Sequence, residues 1–167
     1  GATFSTASLN CLASNLDEAF ALFMDMLKNP GFQEDKVRVY KDEVIENLKK
    51  RNDDAGPILS REWAAVMYGR DHFSARQPTL ATIESITTED LKAFHQKVFQ
   101  PGNLIIAVTG DFKPDEMMAR LESALSGWAK GERMPDPPEP SSSVTPGVYR
   151  VEKDIPQGKV YIGMRGV

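Results

Sequence analysis

The sequence predicts a mixed α+β domain, because its hydrophobic residues repeat with two different periods. Several segments place apolar residues three and four positions apart, which is the spacing along one face of an amphipathic helix. Shorter segments look like strands, and Leu104–Thr109 is the strongest because its continuous apolar character predicts burial on both faces. The chain has 167 residues, 41% hydrophobic and 26% charged, a composition typical of a globular domain.

Five helices are predicted from apolar stripes and from their start and stop signals. They run over residues 16–28, 33–51, 57–68, 87–99 and 114–128. Asn15 and Thr87 are the predicted N-caps of the first and fourth helices, with Glu18 and Asp90 at the capping-box positions. Before the first helix, apolar and polar residues alternate through Thr3–Ser14, which predicts a half-buried strand.

The composition predicts three parts of the chain. Residues 1–130 are expected to form the α+β domain, with its N-terminal part missing. Residues 131–146 are rich in proline and serine, which predicts an extended linker. Residues 147–167 contain two strand-like pieces, Val148–Glu152 and Lys159–Met164, and are expected to open a following repeat or domain.

Charge and cysteine content exclude several classes of protein. The net charge is −4, with basic and acidic residues intermixed, so no nucleic-acid partner is expected. The apolar run Leu104–Val108 is far shorter than the roughly 20 residues that cross a bilayer, so no membrane insertion is expected. The single cysteine, Cys11, excludes an internal disulfide and a thiolate metal cluster, and its alternating neighbours predict a buried, inert thiol.

Five segments, taken in order, resemble the pitrilysin/insulinase/mitochondrial processing peptidase family. They are Leu27–Phe32, Val66–Gly69, Thr82–Leu91, Phe99–Phe112 and, after the linker, Gly147–Gln157. The resemblance covers nearly the whole chain. It implies an α+β fold with a largely antiparallel sheet and helices packed on one side, like the halves of LuxS-type and processing-peptidase-type metallopeptidases.

The resemblance also implies a homologous partner half, in the same chain or in a separate subunit. Members of the family pair two such halves around an unfolded peptide. Such a peptide is expected to add to an exposed sheet edge, where backbone hydrogen bonds supply the affinity.

Active members carry the inverted zinc motif H-x-x-E-H on an early helix. Two histidines one helical turn apart bind the same zinc ion, and the glutamate polarises the attacking water. The only histidines of this chain are His72 and His95, which lack that spacing. The first two zinc ligands are therefore absent from this chain, being either never encoded or upstream of Gly1.

A glutamate from a later helix is the third ligand in active members, and this helix is present. If Asn52-Asp53-Asp54 is aligned with the acidic turn that follows it, the ligand position falls on Asn47 and an assisting glutamate falls on Tyr40. Asparagine lacks the charge that helps to hold a dication. Other registers place Glu46 or Glu43 at the ligand position. No catalytic, metal or cofactor-binding residue is assigned to this chain, although zinc is the cofactor of active members.

The leading hypothesis is a non-catalytic half of a bacterial-looking putative zinc protease, which shapes a peptide-binding chamber with an active partner. One alternative is the C-terminal part of a genuine zinc metalloendopeptidase domain, and a second is a structural assembly subunit. A homodimer through the edge of Lys159–Met164 is a further expectation. Periplasmic and cytoplasmic locations both fit the sequence.

Overall fold

A computed structural model describes residues 3–139 and 144–164 of the chain. These residues form six α-helices and two short 3₁₀ turns, and they contain no β-strand. The α-helices are α1 (Leu16–Lys28), α2 (Glu34–Lys50), α3 (Ala55–Tyr68), α4 (Leu80–Ser85), α5 (Thr88–Val98) and α6 (Pro114–Leu125), and the 3₁₀ turns are Ala13–Asn15 and Pro101–Asn103. Five of the helices lie where apolar periodicity predicts them, and α4 is an addition.

The predicted α+β class, with its largely antiparallel sheet, is wrong for the described residues, which are helical or irregular. The predicted strand Leu104–Thr109, expected to be buried on both faces, is also wrong. Within the described part of the chain, residues 105–109 make no backbone–backbone hydrogen bond, and Ile105 is 98% exposed. Apolar character alone does not make a strand, because a strand needs a neighbouring chain to pair with its amides and carbonyls.

The N-terminal segment departs from its prediction in the same way. The predicted strand over Thr3–Ser14 is irregular up to the 3₁₀ turn at Ala13. Cys11 is exposed, so the predicted buried thiol is wrong. Asn15 precedes α1 without making a side-chain capping hydrogen bond. By contrast, the predicted capping box between Thr87 and Asp90 is present at the start of α5.

The chain divides into two units by the contacts between its residues. The first unit comprises Ser5–Val37 and Thr87–Asp136, and the second comprises Gly1–Phe4, Arg38–Ile86 and Pro137–Val167. The three parts predicted from composition include residues 1–2, 140–143 and 165–167, which lie outside the described residues.

In the first unit, α1 and α6 each contain one buried methionine, and two basic side chains join the two helices. Met24 of α1 and Met117 of α6 are both buried. Arg120 pairs with Asp17, and its guanidinium lies 5.8 Å from the centre of the Phe20 ring. Lys28, at the end of α1, donates a hydrogen bond to the carbonyl of Ala124 near the end of α6.

Helix α5 contacts the same end of α1 through His95. Its Nε2 lies 2.8 Å from the carbonyl oxygen of Leu27, and its ring stacks on Phe99 at 4.8 Å. The ring also meets the edge of Phe32 at 5.9 Å, where the chain leaves α1 with a φ of 41°. The half-buried His95 thus closes the last turn of α1.

In the second unit, long basic side chains hold the ends of α2 and α4. Lys41 of α2 donates hydrogen bonds to the carbonyls of Glu84 and Ile86, at 2.8 and 2.7 Å. Arg61 of α3 donates to the carbonyl of Arg51, just after α2, at 2.7 Å. Ile83 of α4 is buried. The unit therefore depends on hydrogen bonds to helix ends more than on a large apolar core.

Lys28→Met should lower the stability of the first unit by about 1–2 kcal/mol, because a charged donor to a half-buried carbonyl is lost. The Lys28 ammonium also lies 5.7 Å from the centre of the Trp128 ring, and this cation–π contact is lost as well. Urea unfolding followed by Trp fluorescence and far-UV circular dichroism would measure the change. The matched control is Lys92→Met, since the exposed side chain of Lys92 makes no hydrogen bond or ion pair with a described residue. Equal effects of the two substitutions would contradict this role of Lys28.

Candidate functional site

Helix α2 carries the positions at which the resemblance places the third zinc ligand. Tyr40, Glu43 and Asn47 follow one another at intervals of three and four residues, so they share one face of the helix. All three are exposed. Only Glu43 has a carboxylate, and tetrahedral zinc sites need three or four ligands.

Glu46 follows Glu43 by three residues on α2 and already has a partner. The Lys49 ammonium pairs with its carboxylate one turn along the helix. The hydrogen bond from Lys49, reinforced by its charge, lowers the pKa of Glu46 below the ordinary value. Because the pair is fully exposed, it is an ordinary surface ion pair rather than part of a metal site.

The two histidines are also committed to other contacts. In the second unit, the amide of Ser74 donates to Nδ1 of His72 at 3.2 Å, so Nε2 carries the proton and donates to the carbonyl of Pro138 at 3.1 Å. The His72 ring stacks on Tyr68 at 5.6 Å. In the first unit, His95 contacts the carbonyl of Leu27. Both ring nitrogens of His72 are used in hydrogen bonds, and neither histidine belongs to a group of three metal-ligating side chains within the described residues.

The spacing of all potential metal-ligating side chains also bears on metal binding. Across residues 3–139 and 144–164, no three His, Cys, Asp or Glu side chains lie close enough to hold a metal ion. Among the candidate positions Tyr40, Glu43 and Asn47 only Glu43 has a carboxylate, so these residues do not fit the zinc site of active pitrilysin-type enzymes. We derive no metal-dependent step from them.

The turn between α2 and α3 forms a polar cluster that sequence reasoning missed. Asp54 caps α3 by accepting a hydrogen bond from the amide of Gly56 at 3.1 Å. Lys159 lies 3.6 Å from the same carboxylate, and Lys153 donates to the carbonyl of Asn52 at 2.7 Å. These lysines lie about a hundred positions further along the chain, so no local spacing signals the contacts.

An open cavity of about 440 Å³ lies beside this turn. It is lined by Asp53, Asp54, Ala55, Ile155, Pro156, Gln157 and Lys159. The hydrogen bond from Gly56, followed by the charge of Lys159, lowers the pKa of Asp54. The carboxylate is thus used within the protein, as the cap of α3.

The first unit offers a different kind of site, the open segment Leu104–Thr109. Ile105, Ile106 and Val108 are exposed large hydrophobic residues. Within the described residues, the segment's backbone from Ile105 to Thr109 makes no backbone–backbone hydrogen bond. Free main-chain donors and acceptors beside apolar side chains are what an extended peptide can bind.

Comparison with known proteins gives a consistent result. The family model described as "Peptidase M16 inactive domain" matches residues 85–167. The crystal structure of a peptidase M16 inactive domain from Pseudomonas fluorescens is similar to this chain with a TM-score of 0.71 and 25% identity, over 77% of this chain and 32% of that one. This chain belongs to the pitrilysin-type M16 peptidase family.

Two curated relatives extend this comparison. An uncharacterized zinc protease of Mycobacterium leprae is 29% identical over 160 residues, which are 92% of this chain and 36% of the relative. The non-peptidase homolog YmxG of Helicobacter pylori is 27% identical over 158 residues, which are 93% of this chain and 36% of the relative. The M16 chain thus spans about a third of the length of the relatives it matches.

The family membership confirms the resemblance found in the sequence. It also confirms that this M16 chain is a non-catalytic peptidase half, since the matching family model and the similar crystal structure are both of the inactive domain. In the described part of the chain, no helix is long and apolar enough to cross a membrane.

The M16 chain should retain no stoichiometric zinc after dialysis, since the candidate positions on α2 supply one carboxylate, Glu43, where three or four ligands are needed. Metal analysis of the dialysed protein, together with equilibrium titration, measures this. One equivalent of zinc bound with submicromolar affinity, and lost in Glu43→Gln or Glu46→Gln, would show that the helix does form a site.

Acidification should remove the stabilising effect of Asp54. The pKa of Asp54 is lower in the folded chain than its ordinary value of 3.8, so the folded form binds fewer protons as the group titrates. Its contribution is present above the unfolded pKa and is lost as pH falls through the folded pKa.

The test compares thermal unfolding of wild type and Asp54→Asn, followed by circular dichroism. Asparagine also caps helices but has no charge to lose. The wild-type advantage should be constant above about pH 5 and should shrink as the pH falls from about 5 to about 2. Asp53→Asn keeps the capping residue Asp54 and serves as the matched control. A difference between wild type and Asp54→Asn that is constant over this range would contradict the role of Asp54.

Proposed function

We propose that this M16 chain forms one wall of a peptide-binding chamber and holds unfolded peptide without cutting it. An active homologous half supplies the zinc and the catalytic water. Two features support these separate roles of the two halves. The residues of α2 do not fit a zinc site, whereas the open segment has the apolar and main-chain groups that bind extended chains.

The open segment Leu104–Thr109 carries this proposal. Leu104 has extended backbone angles, with φ −92° and ψ 139°, and the exposed isoleucines follow directly. A peptide lying alongside would pair with the free amides and carbonyls, and each such hydrogen bond is worth about 0.5–1.5 kcal/mol. Because backbone groups are common to all sequences, this mode suits unfolded substrates of varied composition.

The partner half lies either in the same parent protein or in a separate subunit. The curated relatives are almost three times as long as the matched region, which leaves room for further halves in one chain. A second copy of this chain is another arrangement, with Lys159–Met164 as the contact region. A structural assembly subunit remains the alternative without peptide binding, and it is favoured if no peptide binds.

The peptide proposal makes a prediction about backbone donors. Proline lacks an amide N–H, and successive amides of an extended chain point to opposite edges. One of Ile105→Pro and Ile106→Pro should therefore weaken peptide binding by about fivefold, and the other should change it little. Fluorescence anisotropy of a short, unstructured, dye-labelled peptide measures the affinity.

The matched controls are Ile105→Ala and Ile106→Ala, which shorten the side chain but keep the amide. If alanine and proline at the same position weaken binding equally, the side chain and not the backbone is the recognised group. If wild type does not bind the peptide, the chamber proposal fails. Cleavage of the peptide by the purified chain would revive the zinc metalloendopeptidase interpretation.

A further inference from the structure

Residues 130–134, here called the strap, follow α6 and lie against the 3₁₀ turn that precedes the open segment. Two hydrogen bonds hold the strap there. The amide of Gly102 donates to the carbonyl of Lys130 at 2.7 Å, and the amide of Met134 donates to the side-chain oxygen Oδ1 of Asn103, also at 2.7 Å. The strap, the turn and the open segment all belong to the first unit.

The strap approaches the turn so closely that both contribute a glycine. A Cβ atom on Gly102 would lie 2.8 Å from the carbonyl oxygen of Lys130, closer than Cβ atoms come to other heavy atoms in proteins. Gly131 has a φ of 66°, a left-handed conformation that glycine adopts without strain, and a Cβ atom there would overlap the side chain of Gln100. The two backbones therefore meet directly, which fixes the path of the strap.

The side-chain amide of Asn103 is hydrogen-bonded at both of its ends. Its Nδ2 donates to the carbonyl of Val98, the last residue of α5, at 3.2 Å, while its Oδ1 accepts from the amide of Met134. A carbonyl only accepts and a backbone amide only donates, so these two partners determine the orientation of the side chain. The half-buried Asn103 thus links the strap to the end of α5, at the position directly before Leu104.

This link bears on peptide binding because the backbone of the open segment makes few hydrogen bonds of its own. The amide of Leu104 donates to the carbonyl of Pro101 at 3.2 Å, but from Ile105 to Thr109 the backbone makes no backbone–backbone hydrogen bond with a described residue. A peptide that must first order the chain with which it pairs binds more weakly, because ordering costs conformational entropy. Contacts that fix the start of the open segment therefore raise its affinity for peptide.

We propose that the strap regulates the open segment through Asn103. While the strap is bound, the segment is held extended and binds peptide; when the strap detaches, the segment becomes mobile and binds peptide more weakly. The strap leads into the proline-rich residues that follow it, so a change in those residues is transmitted to the peptide site through one side chain. The regulation of peptide affinity rests on the proposed function, whereas the ordering of the segment by the strap does not require a peptide.

Met134→Pro in the full chain removes the link at a single atom, because proline lacks the amide N–H that Asn103 accepts. Arg133→Pro is the matched control, since the amide of Arg133 makes no hydrogen bond with a described residue. The control also removes the ion pair of Arg133 with Asp136 at 3.4 Å, which is exposed and contributes little to stability. Circular dichroism checks that both variants keep their helices.

The first measurement is the mobility of the open segment in the absence of peptide. In a Cys11→Ser background, a nitroxide spin label attached through Ile105→Cys reports motion on the nanosecond timescale, and the native side chain there is 98% exposed, so the label displaces no packing. Adding Met134→Pro should increase the mobility of the label, whereas adding Arg133→Pro should leave it unchanged. Equal mobility in the two variants would overturn the ordering of the segment by the strap.

The second measurement is peptide affinity, by fluorescence anisotropy on the unlabelled proteins. Met134→Pro should raise the dissociation constant of the peptide about fivefold, and Arg133→Pro should change it little. Because coupling is reciprocal, saturating peptide should slow hydrogen exchange of the Met134 amide in wild type by a similar factor. Unchanged affinity in Met134→Pro, or unchanged exchange on adding peptide, would overturn the regulation. If wild type binds no peptide, the chamber proposal and the regulation both fail, and label mobility alone decides whether the strap orders the segment.

Discussion

The structure depends on how the ends of its helices are satisfied. The last four carbonyls of an α-helix have no partner within the helix, and the helix dipole places partial negative charge there. Basic and imidazole donors from other elements meet these ends: Lys28 reaches the end of α6, His95 the end of α1, Lys41 the end of α4 and Arg61 the carbonyl just past α2. Each contact fixes one element to another through a directional bond.

These contacts matter because little apolar surface is fully covered. Among the described residues, only Met24, Ala75, Ile83 and Met117 are buried hydrophobic residues. The stabilisation from hydrophobic burial is non-directional and grows with the buried area. A small core therefore does little to specify how the helices are oriented. Hydrogen bonds to helix ends supply orientation instead. The exposed apolar residues outside the helices are then available to a partner or a peptide.

The sequence predicts correctly those features that depend on residues close together in the chain. The stripe and the capping box of α5 lie within a few residues of each other, and both appear as predicted. Burial of Leu104–Thr109 and of Cys11 was predicted wrongly, because burial depends on a neighbour that alternation and apolar character do not supply. The contacts of Asp54 with Lys159 and of Ser60 with Tyr161 join positions about a hundred residues apart, beyond the reach of any periodic pattern.

At the candidate site, too, some features are predictable from the sequence and others are not. The lack of a histidine pair is visible in the residue types alone, and it led to the non-catalytic interpretation that the family comparison confirms. Which residue of α2 takes the ligand position depends on helix register, which one sequence does not determine. The hydrogen bonds of His72 with Ser74 and Pro138 are not predictable from the sequence, because hydrogen bonds to backbone groups leave no signature in residue types.

Because the carbonyls at helix ends receive hydrogen bonds from other elements, single helices of this protein are poor units for transfer to another scaffold. Helix α4 has only six residues, and the donor for its last carbonyls belongs to α2. Grafted alone onto another scaffold, it would arrive with an unfinished terminus and would be expected to unravel there. A graft that includes Lys41 and the turns of α2 around it would keep the hydrogen bonds to the last carbonyls of α4. The useful unit for recombination is therefore a helix together with the side chain that donates to its C-terminal end.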